Sequence, residues 1–145
     1  MENTYFTSEE LQLKNRAFLS GDAVKASFFI RNSKLIMDEE CYFFLMASMR
    51  KMRLNIPLTY TLEFFQNLFT ENVIEGNGVQ NGIINFLVFR NSDGITLSKS
   101  SVSYYFEVEQ MEDVLSIQQR PLELDLIKEI NVNNNLLSNI RVHCP

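Results

Sequence analysis

The chain has 145 residues, 46% of them hydrophobic, which is enough for one domain with a core of its own and too well mixed for a disordered segment. Thirteen Lys and Arg against 18 Asp and Glu leave a formal charge of −5, so neither nucleic acid nor an anionic membrane is expected as a partner. No apolar run reaches the roughly 18 residues of a membrane span, and the start Met1-Glu-Asn-Thr-Tyr lacks the basic and apolar regions of a signal peptide, so a cytoplasmic protein is expected.

In chain order, residues 26 to 37 read as a β-hairpin around an Asn32-Ser33 turn, because asparagine tolerates the left-handed conformation such a turn demands. Asp38 is placed to cap a helix with Glu39 and Glu40 in its first turn and Arg50, Lys51 and Arg53 near its end, both of which suit the helix dipole. Its apolar stripe is Tyr42, Leu45, Met46, Met49 and Met52, and the basic cluster reads as a solvated helix end in preference to a phosphate site. Cys41, Phe44 and Ser48 share another face, and Phe44 sits off the main stripe.

Ile56-Pro57 breaks this helix, and a second begins at Thr61 with Leu62, Phe65, Leu68, Phe69 and Val73 at helical spacing, ending at Gly76-Asn77-Gly78. Ile83 to Phe89 is almost continuously apolar, as in a strand covered on both faces, and Asn91-Ser92-Asp93-Gly94 makes a turn. The next strand alternates, with Val102, Tyr104, Phe106 and Val108 facing one way and Ser103, Tyr105, Glu107 and Glu109 the other. The pattern predicts an α+β domain over residues 1–111, an antiparallel sheet with helices on one face. Residues 112–120 read as a connector, and a strand near 121–128 opens a further unit, 121–145, too short to close a second core. Such an unpaired strand edge predicts a homodimer, or a partner chain, covering residues 121–145.

Chemistry-bearing motifs are scarce. There is no phosphate-cradling glycine loop, paired zinc-ligand motif or nucleophile elbow. The two cysteines, Cys41 and Cys144, are about a hundred positions apart and only one histidine exists, so neither a disulfide framework nor a metal site is expected. A nucleophile built on His143 and Cys144 would lie in the last residues of the chain, where an ordinary surface pair is the better reading.

Four stretches carry more information: Asn15-Arg-Ala-Phe-Leu-Ser-Gly-Asp-Ala-Val, Tyr42-Phe-Phe-Leu-Met-Ala-Ser-Met-Arg with Asn55-Ile-Pro, Leu87-Val-Phe-Arg-Asn, and Asn135-Leu-Leu-Ser-Asn-Ile-Arg. In this order and at these separations they resemble the class IV pyridoxal-phosphate aminotransferase family, which includes branched-chain and D-amino-acid aminotransferases and 4-amino-4-deoxychorismate lyase, most closely its Bacteroidetes-type members. The resemblance covers essentially the whole chain. It implies the family's N-terminal α+β domain plus the start of a C-terminal domain, with pyridoxal 5'-phosphate between them.

The resemblance fails at the residues that carry the family's chemistry. Where such proteins read Phe-Leu-Tyr-Gly-Asp and then Val-Phe-Glu-Thr, this chain has Ser20 for the tyrosine and Lys25, Ala26 and Ser27 for Phe-Glu-Thr. The family's His-x-x-Arg-Leu, whose arginine grips the cofactor phosphate, is replaced by Cys41 and Phe44 before Leu45. Phe44 either fills the vacated phosphate site or packs as an ordinary core residue. The place of the Schiff-base lysine is held by Arg141, whose guanidinium stays protonated and cannot attack an aldehyde; Lys128, the nearest lysine, belongs to the preceding strand pattern.

The expectation is a catalytically inactive, class IV-like protein with a binding or scaffold role, a vestigial pocket at Ser20, Lys25, Ala26, Cys41, Phe44 and Arg141, and no bound cofactor. The rival is an active aminotransferase or lyase completed by another chain; a truncated product with no function of its own is a third reading.

Overall fold

The structure, a computed structural model, describes residues 4–7, 15–93, 96, 99–115, 120 and 122–126. Strand β1, Thr4–Thr7, is followed by a short helix α1, Arg16–Ser20, then β2, Ala23–Arg31, and β3, Lys34–Ile36. Helix α2, Asp38–Lys51, and helix α3, Leu62–Phe69, come next; α3 continues into a π-helical segment, Thr70–Glu75. Strands β4, Gly82–Arg90, and β5, Val102–Gln110, complete one five-stranded sheet in the order β1-β5-β4-β2-β3, every neighbouring pair antiparallel.

The hairpin forms as its residue types dictate. Asn32 and Ser33 take φ of 51° and 58°, the paired left-handed conformation of the tight turn whose twist matches its strands. At the start of α2 the reading of Asp38 as the cap is corrected: the cap position is Met37, left-handed at φ 54°, and Asp38 is already helical. The Asp38 carboxylate instead accepts from Gln66 Nε2 at 2.6 Å, which ties α2 to α3. Thr61 caps α3 as its position suggests, accepting from Phe64 N at 3.1 Å. The switch to π geometry coincides with Asn72, whose side chain donates to Leu68 O at 2.8 Å and takes an acceptor that the α-helical ladder uses.

Alternation along the strands sorts the sheet into two faces. Val24, Ala26, Phe28, Ile30, Ile84, Phe86, Val88, Phe106 and Val108 point to one face and pack against Leu45, Met49, Phe65, Phe69 and Val73 from the helices. At the centre, Phe86 touches the rings of Phe28, Phe65, Phe69, Tyr104 and Phe106 at centroid distances of 5.3 to 6.2 Å. Burying these rings together with the aliphatic core stabilises the fold. Gly82 lets β4 and β5 close, since a Cβ there would stand 2.7 Å from the Glu109 carbonyl oxygen.

The expectation of helices on one face holds for α2 and α3. The small helix α1 departs from it: Ala17 packs with Ala23 and Phe89, beside Leu87 and Tyr105, on the face that α2 and α3 leave open. Gly21, left-handed at φ 64°, ends α1 and turns the chain into β2.

One ion pair fastens these layers. Arg90, 4% exposed, holds Asp22 through Nη1 at 2.9 and 3.0 Å and donates through Nη2 to the carbonyls of Met52 and Arg53, both at 2.9 Å. It therefore joins the end of β4, the turn before β2 and the end of α2.

The strand expected near residues 121–128 is not formed at residues 122–126, which lie outside any strand, with Leu122, Leu124 and Leu126 exposed. The rest of the unit 121–145, including Lys128, Arg141, His143 and Cys144, lies outside the described residues.

Candidate functional site

The face of the sheet opposite α2 and α3 carries a group of polar side chains. Its rows follow from the register: Lys25, Leu87, Tyr105 and Thr7 lie side by side, then Ser27, Asn85, Glu107 and Tyr5, then Ile36, Phe29, Ile83 and Glu109. The polar middle row is flanked by Leu87 on one side and by Ile36, Phe29 and Ile83 on the other, with Lys25, Thr7 and Glu109 also in the flanking rows. Ser27 Oγ donates to Asn85 Oδ1 at 3.4 Å, and Tyr105 Oη donates to Glu107 Oε2 at 3.4 Å. Tyr5 stacks on Tyr105 with centroids 6.1 Å apart.

Burial, and after it the Glu107 carboxylate, pushes the Tyr105 phenol above its ordinary pKa, so it stays a neutral donor at physiological pH. Hydroxyl, amide, carboxylate and the exposed Lys25 ammonium make a floor able to hold a polar molecule by hydrogen bonds. Among the described residues there is no cluster of His, Cys, Asp and Glu that could hold a metal ion.

The residues singled out from sequence are distributed as follows. Lys25 lies on this open face, and Ser20 is exposed at the end of α1. Ala26, 2% exposed, points the other way into the core, where it shares the cluster with half-buried Cys41. Phe44 stands 38% exposed on the outer side of α2. Ala26 and Cys41 are therefore brought into one core, whereas Lys25, on the open sheet face, and Phe44, on the outer side of α2, are on separate surfaces.

The environment of Cys41 is unlike that of an anion site. Burial pushes its thiol pKa up, and the carboxylates of Glu40 and Asp38 push it further. A phosphate-binding position needs the opposite field. The raised pKa lowers the thiolate fraction at any given pH, so in a Cys144→Ser protein Cys41 should react with an aromatic disulfide at pH 8 more slowly than free cysteine, the rate climbing only as pH passes the ordinary thiol range. Reaction as fast as free cysteine, followed by absorbance, would contradict this field.

Sequence reasoning missed the Arg90–Asp22 pair and the row of Tyr5, Ser27, Asn85 and Glu107. The pair had a local signal, two charges at the margins of apolar strands. The row is assembled from β1, β2, β4 and β5, and only the register brings it together.

No protein-family model matches the chain, and no curated protein matches it in sequence. Solved structures do match. The branched-chain amino acid aminotransferase of Escherichia coli superposes with a TM-score of 0.60 at 16% identity, covering 74% of this chain and 36% of that one. The 4-amino-4-deoxychorismate lyase of Pseudomonas aeruginosa gives 0.55 at 15% identity, over 71% and 38% of the two chains. A hypothetical aminotransferase from Mycobacterium tuberculosis gives 0.56 at 20% identity, over 70% and 34%. The chain therefore spans little more than a third of the length of these proteins. Its α+β fold, an antiparallel sheet with α2 and α3 packed on one face, is that of the class IV pyridoxal-phosphate aminotransferase N-terminal domain.

Proposed function

We propose that this chain is a class IV aminotransferase-like protein without transaminase or lyase activity, serving in binding or as a scaffold. One observation supports the reading: the α2 positions that the sequence resemblance assigns to the family's cofactor grip hold Cys41, whose thiol pKa is raised by burial and by the acidic first turn, and Phe44, an exposed aromatic ring. Neither side chain supplies the positive charge that a phosphate dianion requires. These two residues do not fit the phosphate of pyridoxal 5'-phosphate, and the position that the resemblance assigns to the Schiff-base lysine holds Arg141, which cannot form the imine. The binding surface in this reading is the open sheet face with Lys25, Ser27, Asn85, Tyr105 and Glu107.

The purified protein is expected to be colourless and, after incubation with pyridoxal phosphate, to release it on gel filtration. Restoring Arg141→Lys together with Phe44→Arg and Cys41→His is expected to recover retention when the remaining half of a pocket is supplied by another chain. Retention by the unaltered protein would sink the reading.

A second reading has its own support. The matched enzymes are far longer than this chain, which covers 36% of the E. coli protein, so a separate chain completing an active aminotransferase or aminodeoxychorismate lyase is the alternative. Transaminase activity appearing when such a chain is co-expressed would favour it.

A further inference from the structure

The chain contains two Asn-Gly pairs, Asn77-Gly78 and Asn81-Gly82. An asparagine followed by glycine is open to attack on its own carboxamide by the next backbone nitrogen, because glycine has no Cβ to obstruct the approach. The structure treats the two pairs oppositely.

Gly82 is buried in β4, between Ile30 of β2 and Gln110 of β5, and a Cβ there would stand 2.7 Å from the Glu109 carbonyl oxygen. The Asn81 side chain accepts from Asn32 N through Oδ1 at 3.0 Å, and its backbone carbonyl accepts from Met111 N at 3.2 Å. Both halves of this pair are fixed, and bringing nitrogen to carboxamide would break the ladder. The two Asn-Ser pairs of the described loops are tied as well. Ser33 N donates to the Gln80 carbonyl, and Asn91 Nδ2 donates to the hydroxyls of Ser101 and Ser103.

Asn77 and Gly78 lie just past the π-helical segment and are both exposed. Gly78 is left-handed at φ 64°, and a Cβ there would meet nothing within 4 Å, so the space around it is open. Among the described residues the Gly78 N–H makes no hydrogen bond, which leaves its nitrogen available. The Asn77 side chain is held through Nδ2, which donates to the Asn72 carbonyl.

We infer that Asn77 is a site of spontaneous deamidation. The Gly78 nitrogen gives its proton to water and bonds to Asn77 Cγ; the Cγ–Nδ2 bond breaks, and Nδ2 leaves as ammonia after taking a proton from water. A further water opens the cyclic imide at either carbonyl and leaves aspartate or isoaspartate. The product loosens the segment that carries it. A carboxylate cannot donate to the Asn72 carbonyl, and its charge falls at the negative end of a helical run that already carries Glu71 and Glu75. Val73 and Val79 anchor this turn in the core, joined by Val79 N donating to the Val73 carbonyl at 3.2 Å, so the loosening reaches the core's margin.

Peptide mapping of the full chain during incubation at mildly alkaline pH, with fragment-ion mass spectrometry, tests this. Asn77 is expected to show amide-to-acid exchange, as both aspartate and isoaspartate, at least severalfold faster than Asn81. In urea the two pairs should react at similar rates, because the ladder that protects Asn81 is gone. Asn77→Gln should abolish conversion at this position and keep the unfolding midpoint. Asn77→Asp should lower that midpoint and speed amide hydrogen exchange across residues 70–79. Asn81 converting as fast as Asn77 in the folded chain overturns the inference, and so does a folded chain in which neither converts while both convert in urea. A midpoint and exchange pattern unchanged by Asn77→Asp overturns the loosening.

Discussion

Arg90→Ala is expected to destabilise the domain by about 3–5 kcal/mol in urea unfolding, because it removes one partner of a buried ion pair and leaves the other uncompensated. The side chains of Arg90 and Asp22 are 5% and 10% exposed and meet at 2.9 Å. Losing the guanidinium also strands the Met52 and Arg53 carbonyls, which it satisfies at 2.9 Å. Arg90→Lys should recover only part of the loss, since an ammonium cannot reproduce the planar fork that reaches a carboxylate and two carbonyls together. The double variant Arg90→Ala with Asp22→Ala should cost less than the sum of the single changes. A loss below about 1 kcal/mol for Arg90→Ala would show that this pair does not fasten the layers.

Phe86→Ala is the second large effect, again about 3–5 kcal/mol, from lost burial and from the cavity left in a close-packed core. Phe86 is fully buried and its ring meets those of Phe28, Phe65, Phe69, Tyr104 and Phe106, so no single neighbour can move in to fill the space. Phe86→Leu should cost roughly half as much, because most of the volume is kept. Equal losses for the two variants, measured by the same unfolding curves, would mean that ring geometry and not volume governs the site.

These two residues show what the sequence made legible. Phe86 lies in an apolar run that reads as a strand covered on both faces. The strand forms, but Ile83, Asn85 and Leu87 are half-buried on the open face, so only one face is fully covered. The hairpin, the helix stripe of Leu45, Met46 and Met49, and the alternation from Val102 to Val108 follow from local periodicity. Strand β1 was invisible: Thr4–Thr7 is too short for a pattern, and its place comes from pairing with β5, about a hundred residues away. Helix α1 lay inside a recognised motif, yet five residues give no period to read. Asp38 was misassigned as a cap because a non-glycine residue, Met37, takes the left-handed conformation that redirects the chain.

The candidate site was less legible than the fold. Lys25 and Ala26 are adjacent in sequence and stand on opposite faces of the sheet, which alternation implies once the strand is known to begin at Ala23. The polar row from Ser27 to Tyr5 needs the register of β1, β2, β4 and β5, which no local signal carries. Of the two readings of Phe44, ordinary core packing is set aside, since the residue is 38% exposed beside exposed Phe43 and Ala47 on α2.

The central claim is that a class IV aminotransferase fold persists here without the means to engage its cofactor, and borohydride trapping tests it most directly. The full chain is incubated with excess pyridoxal phosphate, reduced, digested and mapped by mass spectrometry. The account predicts only scattered, substoichiometric labelling of exposed lysines, and no visible absorbance band before reduction. A single lysine labelled to near one equivalent, with a saturable band, would contradict it and establish a working cofactor site.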